Sequence, residues 1–106
     1  AAALQDGART VVATDGSHGA VGGTLEGPVT SVPALDDVEV RSTLGAGDVF
    51  HGALLVAVAR DWDLPTAMRY ASVAAGLSCR AVDARSGIPS EAEIRHYCEA
   101  RGIDLP

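Results

Sequence analysis

Ser42-Thr43-Leu44-Gly45-Ala46-Gly47-Asp48-Val49-Phe50-His51-Gly52-Ala53 is the stretch that decides how this chain reads. Two glycines flank an alanine, a carboxylate follows, and a long apolar run begins. The pattern is a tight loop feeding into a helix whose first N–H groups find no acceptor inside the helix. Aligned peptide dipoles place about half a positive charge at that end. Glycines let the backbone approach a ligand without Cβ interference, and such a terminus takes anions, phosphate above all. An aspartate at position 48 repels an anion. It makes chemical sense if the loop holds a phosphoryl group and also removes a proton from an attacking hydroxyl. The plain alternative is a first-turn carboxylate that complements the dipole, worth about 0.3–1 kcal/mol.

The flanks bear on that choice. Thr43-Leu44-Gly45-Ala46-Gly47-Asp48 resembles the second signature of the PfkB (ribokinase-like) carbohydrate kinases, Asp-Thr-x-Gly-Ala-Gly-Asp. Thr14-Asp15-Gly16-Ser17-His18-Gly19-Ala20 resembles the family's nucleotide loop, Thr-Leu-Gly-x-x-Gly, with Asp15 in a usually apolar place. Met68-Arg69-Tyr70-Ala71 through Ile88-Pro89 is similar to its C-terminal helices and connecting loop. The resemblance runs over nearly the whole chain but covers only the C-terminal part of a family member. It implies an α/β, ribokinase-like three-layer α/β/α fold. Residues 1–106 would be the C-terminal part of one kinase domain, with a β-meander, the glycine loop and three helices. The N-terminal sugar-binding part and the lid would lie upstream.

The resemblance also implies roles. Asp48 would be the general base that takes the proton from a sugar hydroxymethyl group, so that the oxygen attacks the γ-phosphorus of ATP. Positioning, charge stabilisation and a base are what phosphoryl transfer requires. Gly45, Ala46 and Gly47 would offer backbone N–H groups to the charge developing on the transferred phosphate. Thr14, Gly16 and Gly19 would meet the nucleotide phosphates and ribose, and Ser72 the adenine side. Mg²⁺ would arrive with ATP, held mostly by phosphates and water. Ser42 stands where the signature has its leading aspartate, and serine supplies no such charge. Residues 80–87 also depart from the family pattern, so activation by a monovalent cation is doubtful. Arg85 reads better as a solvated loop arginine than as a phosphate ligand. A dinucleotide fingerprint fails, because G-x-G-x-x-G needs glycine where Phe50 stands. His51 has no second ligand at metal spacing and reads as a packed or hydrogen-bonded histidine.

Composition narrows the classes. The chain of 106 residues is 47% hydrophobic, enough to bury a core, and carries a net charge of -6. That charge argues against nucleic acid or an anionic membrane as partner. All eight cations are arginine, so neither a lysine nucleophile nor a Walker-type lysine occurs here. No apolar run has the roughly 18 residues of a membrane span. Cys79 and Cys98 lack close-spaced partners, which argues against zinc and for reduced thiols of a cytoplasmic protein.

Along the chain, Ala1 to Asp6 predicts the end of a helix closed by Gly7. Arg9 to Thr14, Ala20 to Leu25 and Val29 to Val32 predict three strands, with turns at Asp15–Gly19 and Gly27-Pro28. Val38 to Val40 predicts a short strand. A helix is expected after Asp48 to about Arg60, apolar nearly all round except His51, which suits the inside of a larger body. Asp63-Leu64-Pro65 opens the next helix, whose small residues from Ala71 to Gly76 allow close approach by a neighbour or a flat ligand. Ser90-Glu91-Ala92-Glu93 is a capping box. Ile94, Tyr97 and Cys98 give the last helix a narrow apolar stripe, and Gly102 ends it.

The expected activity is ATP-dependent phosphorylation of a sugar hydroxymethyl group, in the cytoplasm, with a small-molecule substrate; the reading admits a homodimer. The alternatives are a nucleoside kinase, a non-catalytic nucleotide-binding or regulatory protein of the same fold, and a complete interaction domain.

Overall fold

The computed structural model describes residues 10–14, 19–24, 29–33, 35, 40–43, 45–80 and 88–106. Three strands, β1 (Thr10–Thr14), β2 (Ala20–Thr24) and β3 (Thr30–Val32), form an antiparallel meander in the order β1-β2-β3. Val12 pairs with Gly22 and Thr14 with Ala20, while Ala20 pairs in turn with Val32. Three helices follow: α1 (Ala46–Ala59), α2 (Leu64–Ser78) and α3 (Glu91–Ala100). The expected helix before Gly7, the turns at residues 15–18 and 27–28, residues 38–39 of the expected fourth strand and the loop at 81–87 lie outside the described residues. Val40, described, is exposed and belongs to no strand.

Helix α2 is central: it packs on α1, α3, β2 and β3. Its small residues explain how. Ala67, Ala71 and Ala74 are buried on α2, and each lets a neighbour come close. Ala67 and Ala74 join Ala57, Tyr70, Val73, Leu77, Ile94 and Cys98 in a core shared by the three helices. On the sheet side, Ala20, Val32, Phe50, Met68 and Ala71 make a second core. Gly22 is needed there, because a Cβ on it would stand 2.6 Å from Met68 Sδ. Gly76 serves the same end, since a Cβ would meet Leu35 Cδ1 at 2.5 Å. At Gly76, then, the neighbour of the small-residue stretch is an ordinary leucine.

The outward side of α1 is open, with Leu55 69% exposed and Val58 49% exposed. An apolar helix with one face packed and one face bare matches the composition of Val49 to Ala59. None of the described helices is long and apolar enough to cross a membrane. Cys79 and Cys98 are both buried free thiols.

Helix α3 starts as its sequence dictates. Ser90 Oγ accepts the Glu93 N–H at 3.1 Å, and Glu93 Oε1 accepts the Ser90 N–H at 3.1 Å. That Ser90 N–H, ahead of the Arg80 guanidinium, holds the Glu93 carboxyl below the usual carboxylate range. A depressed carboxyl stabilises the fold above its unfolded pKa and ceases to as pH falls through its folded value. Ser90→Ala removes the Oγ that caps the Glu93 N–H and is expected to cost about 1 kcal/mol in urea denaturation of the intact protein at neutral pH. Alanine keeps the backbone N–H that holds the Glu93 carboxyl, so the difference between variant and wild type should change little in acid.

The start of α2 differs in one respect. Asp63 occupies the cap position, but its side chain makes no capping bond. Pro65, the second helical residue, has no N–H to give, so one of the two donors a cap can reach is missing here.

Candidate active site

Helix α1 begins three residues earlier than the sequence pattern suggests, at Ala46 and not after Asp48. Gly45 takes φ 79°, a left-handed conformation that suits glycine, and the helix runs from Ala46. Asp48 is therefore the third helical residue, inside the first turn where the dipole favours its negative charge. Its carboxylate is exposed. Gly47 is exposed too, and a Cβ built on it would meet nothing within 4 Å. A ligand has room to reach this turn.

The amides of the turn are not equivalent. Ala46 donates its N–H to Thr43 O at 3.1 Å, which closes the turn, and Val49 donates to Gly45 O at 3.0 Å. Among the described residues the Gly47 and Asp48 N–H groups have no acceptor. Both belong to the first turn, whose amides a helix leaves without partners of its own. His51 Nδ1 lies 2.7 Å from Gly47 O, so its ring is hydrogen-bonded one turn along the helix. This is the ordinary role expected of it.

The entrance to the loop is fixed by a contact no sequence pattern announces. The carbonyl of Cys79, at the C-terminal end of α2, accepts the Arg41 N–H at 2.7 Å and the Ser42 N–H at 3.2 Å. The end of α2 and the start of the glycine loop are thereby held side by side. From below, Phe50 anchors the same turn in the sheet-side core.

Thr14 ends β1 and Gly19, with φ 92°, leads into β2. The two bracket the stretch that contains Gly16, which lies outside the described residues. Ser72 is buried on α2 and donates its hydroxyl to Pro33 O at 2.9 Å. That hydrogen bond ties α2 to the segment just after β3 and accounts for a small polar residue at this position.

Residues 1–91 match the pattern of the pfkB family carbohydrate kinases. The chain belongs to the pfkB family. It is 37% identical over 83 residues to a ribokinase of Bacillus subtilis, an overlap of 76% of this chain and 27% of that protein. A Burkholderia thailandensis nucleoside kinase, solved in complex with inosine, superposes with a TM-score of 0.83 at 30% identity, over 92% of this chain and 33% of that one. A ribokinase II-like protein of E. coli, solved in complex with ATP and Mg²⁺, superposes with a TM-score of 0.84 at 25% identity, over 92% and 31%. The chain spans about a third or less of each of these pfkB-type relatives. Its meander and three helices are a portion of the ribokinase-like α/β fold.

Proposed function

We propose that the protein to which this chain belongs transfers the γ-phosphoryl group of ATP to a hydroxymethyl group of a sugar or sugar-like substrate. One observation carries the reading: an exposed aspartate stands in the first turn of a helix that follows a left-handed glycine, in a chain of the pfkB family. Asp48 takes the hydroxyl proton as the oxygen bonds to the γ-phosphorus. The bond from that phosphorus to the β-bridging oxygen breaks, and ADP leaves. The products are ADP, the phosphate ester and a proton. The Gly45, Gly47 and Asp48 amides face the charge developing on the transferred group. Ala46 contributes by closing the turn with Thr43.

Thr14, Gly16 and Gly19 are assigned to the nucleotide phosphates and ribose. Ser72, with its hydroxyl engaged by Pro33, is assigned to the wall on the adenine side. The ribokinase and nucleoside kinase relatives support sugars and nucleosides as the acceptor class, and the relative crystallised with ATP and Mg²⁺ supports the donor. Mg²⁺ enters with the triphosphate, and ATP supply suits a cytoplasmic reaction.

The test is ADP release by the intact protein, coupled to a spectroscopic readout, against a panel of hydroxymethyl sugars and nucleosides. Acceptor-dependent release supports the assignment. Tight ATP binding with no acceptor-dependent release would favour a non-catalytic nucleotide-binding protein, a reading that Ser42 in the place of the leading aspartate keeps in play.

A further inference from the structure

His51 lies one helical turn beyond Asp48 on α1, and both side chains are exposed. Its ring nitrogen Nδ1 stands 2.7 Å from Gly47 O. A carbonyl oxygen only accepts, so Nδ1 carries the proton and donates it, and Nε2 of the neutral ring is left bare. The ring also meets that of Phe50 edge-on, with centroids 6.0 Å apart. Phe50 is buried in the sheet-side core, so the imidazole leans on a fixed support.

The peptide that receives this bond matters. Gly47 O and the Asp48 N–H are opposite ends of one planar peptide unit. It follows an exposed glycine around which a Cβ would find nothing within 4 Å, and glycine has more backbone freedom to lose than any other residue. Its neighbours in the turn are held by the backbone: Ala46 N–H donates to Thr43 O, and Val49 N–H to Gly45 O. The imidazole adds a side-chain hold on the peptide between them. A donor at the oxygen also draws electron density from the nitrogen end. The Asp48 N–H becomes the better donor for it, since hydrogen bonds in a chain strengthen one another by about 10–30%.

We propose that His51 is a positioning residue for phosphoryl transfer. By donating to Gly47 O it orients and polarises the Gly47–Asp48 peptide, so that the Asp48 N–H meets the charge developing on the transferred group. The proton stays on Nδ1 throughout, and His51 acts through the peptide rather than on the phosphate itself. This role rests on the assignment of γ-phosphoryl transfer to the glycine loop, and it adds to that assignment a side chain one turn away from the base.

The experiment is steady-state kinetics of His51→Phe and His51→Asn in the intact protein, with ATP and the most active sugar or nucleoside of the panel. Nitrogen NMR of the wild-type ring in mildly alkaline buffer accompanies it. Phenylalanine keeps a ring beside Phe50 and removes the donor. Asparagine places an amide nitrogen at the position of Nδ1 and so keeps one. His51→Phe should lower kcat by about three- to tenfold, the worth of one ordinary hydrogen bond, with KM for ATP and for the acceptor unchanged. His51→Asn should recover most of that loss. The wild-type ring should show a protonated Nδ1 and a bare Nε2. His51 is exposed, so both variants should keep the wild-type melt. Wild-type kcat in His51→Phe, an asparagine variant as slow as the phenylalanine one, or a proton on Nε2 in place of Nδ1 would each overturn the role. Acceptor-dependent ADP release by the wild type, measured first, keeps two failures apart. Its absence removes the kinase reading and this role with it, whereas its presence beside an unaffected phenylalanine variant removes His51 alone.

Discussion

Asp48→Asn should lower turnover by about 10²–10⁴-fold, the usual contribution of a positioned base, while ATP binds as well as before or slightly better. The asparagine matches the carboxylate in shape and keeps the first turn of α1, so Gly47 and Asn amides stay open to phosphate. It cannot accept the hydroxyl proton. It also removes a negative charge next to the triphosphate, which is why nucleotide affinity should not fall. The measurements are steady-state ADP release and separate nucleotide titration. The split between them is diagnostic: a residue that merely complements the helix dipole would cost about 0.3–1 kcal/mol of stability and leave turnover nearly intact. Wild-type turnover in the asparagine variant would remove Asp48 from the chemistry.

How much of this was legible beforehand depends on the range of the interaction. The capping box at Ser90 is a contact between residues three apart, written wholly in local chemistry, and it formed with both of its hydrogen bonds. The meander was equally local, since β-branched runs punctuated by glycine and proline turns leave few other pairings. Helix α1 was legible as a helix but not in its first residue. The aspartate looked like a boundary, whereas the left-handed φ of Gly45 starts the helix at Ala46 and draws Asp48 inside. What could not be read were contacts between residues far apart in the chain. Nothing in Cys79 says that its carbonyl will hold the Arg41 and Ser42 amides, because every residue has a carbonyl. Ser72 shows the same limit from the other side. A small polar residue fitted an adenine contact and a packing role alike, and only the Pro33 carbonyl at 2.9 Å reveals how its hydroxyl is used here.

Phe50→Ala should destabilise the intact protein by about 3–5 kcal/mol, the range for truncating a buried phenylalanine. The side chain is 4% exposed and closes the core between the sheet and α2, against Ala20, Val32, Met68 and Ala71. Those neighbours limit relaxation. Ala20 and Ala71 have nothing to extend into the gap, so much of the cavity would stay open. Phe50→Leu keeps an apolar plug and should cost about 1 kcal/mol, with turnover close to wild type. Urea denaturation gives the energies, and ADP release well below the melt gives the second readout. The alanine variant should lose activity beyond what its unfolded fraction explains, because Phe50 lies two residues past Asp48 and its burial fixes the turn that carries the carboxylate. A loss of stability with full activity in the folded fraction would mean that Gly45 and the Cys79 carbonyl hold the turn without help from the core.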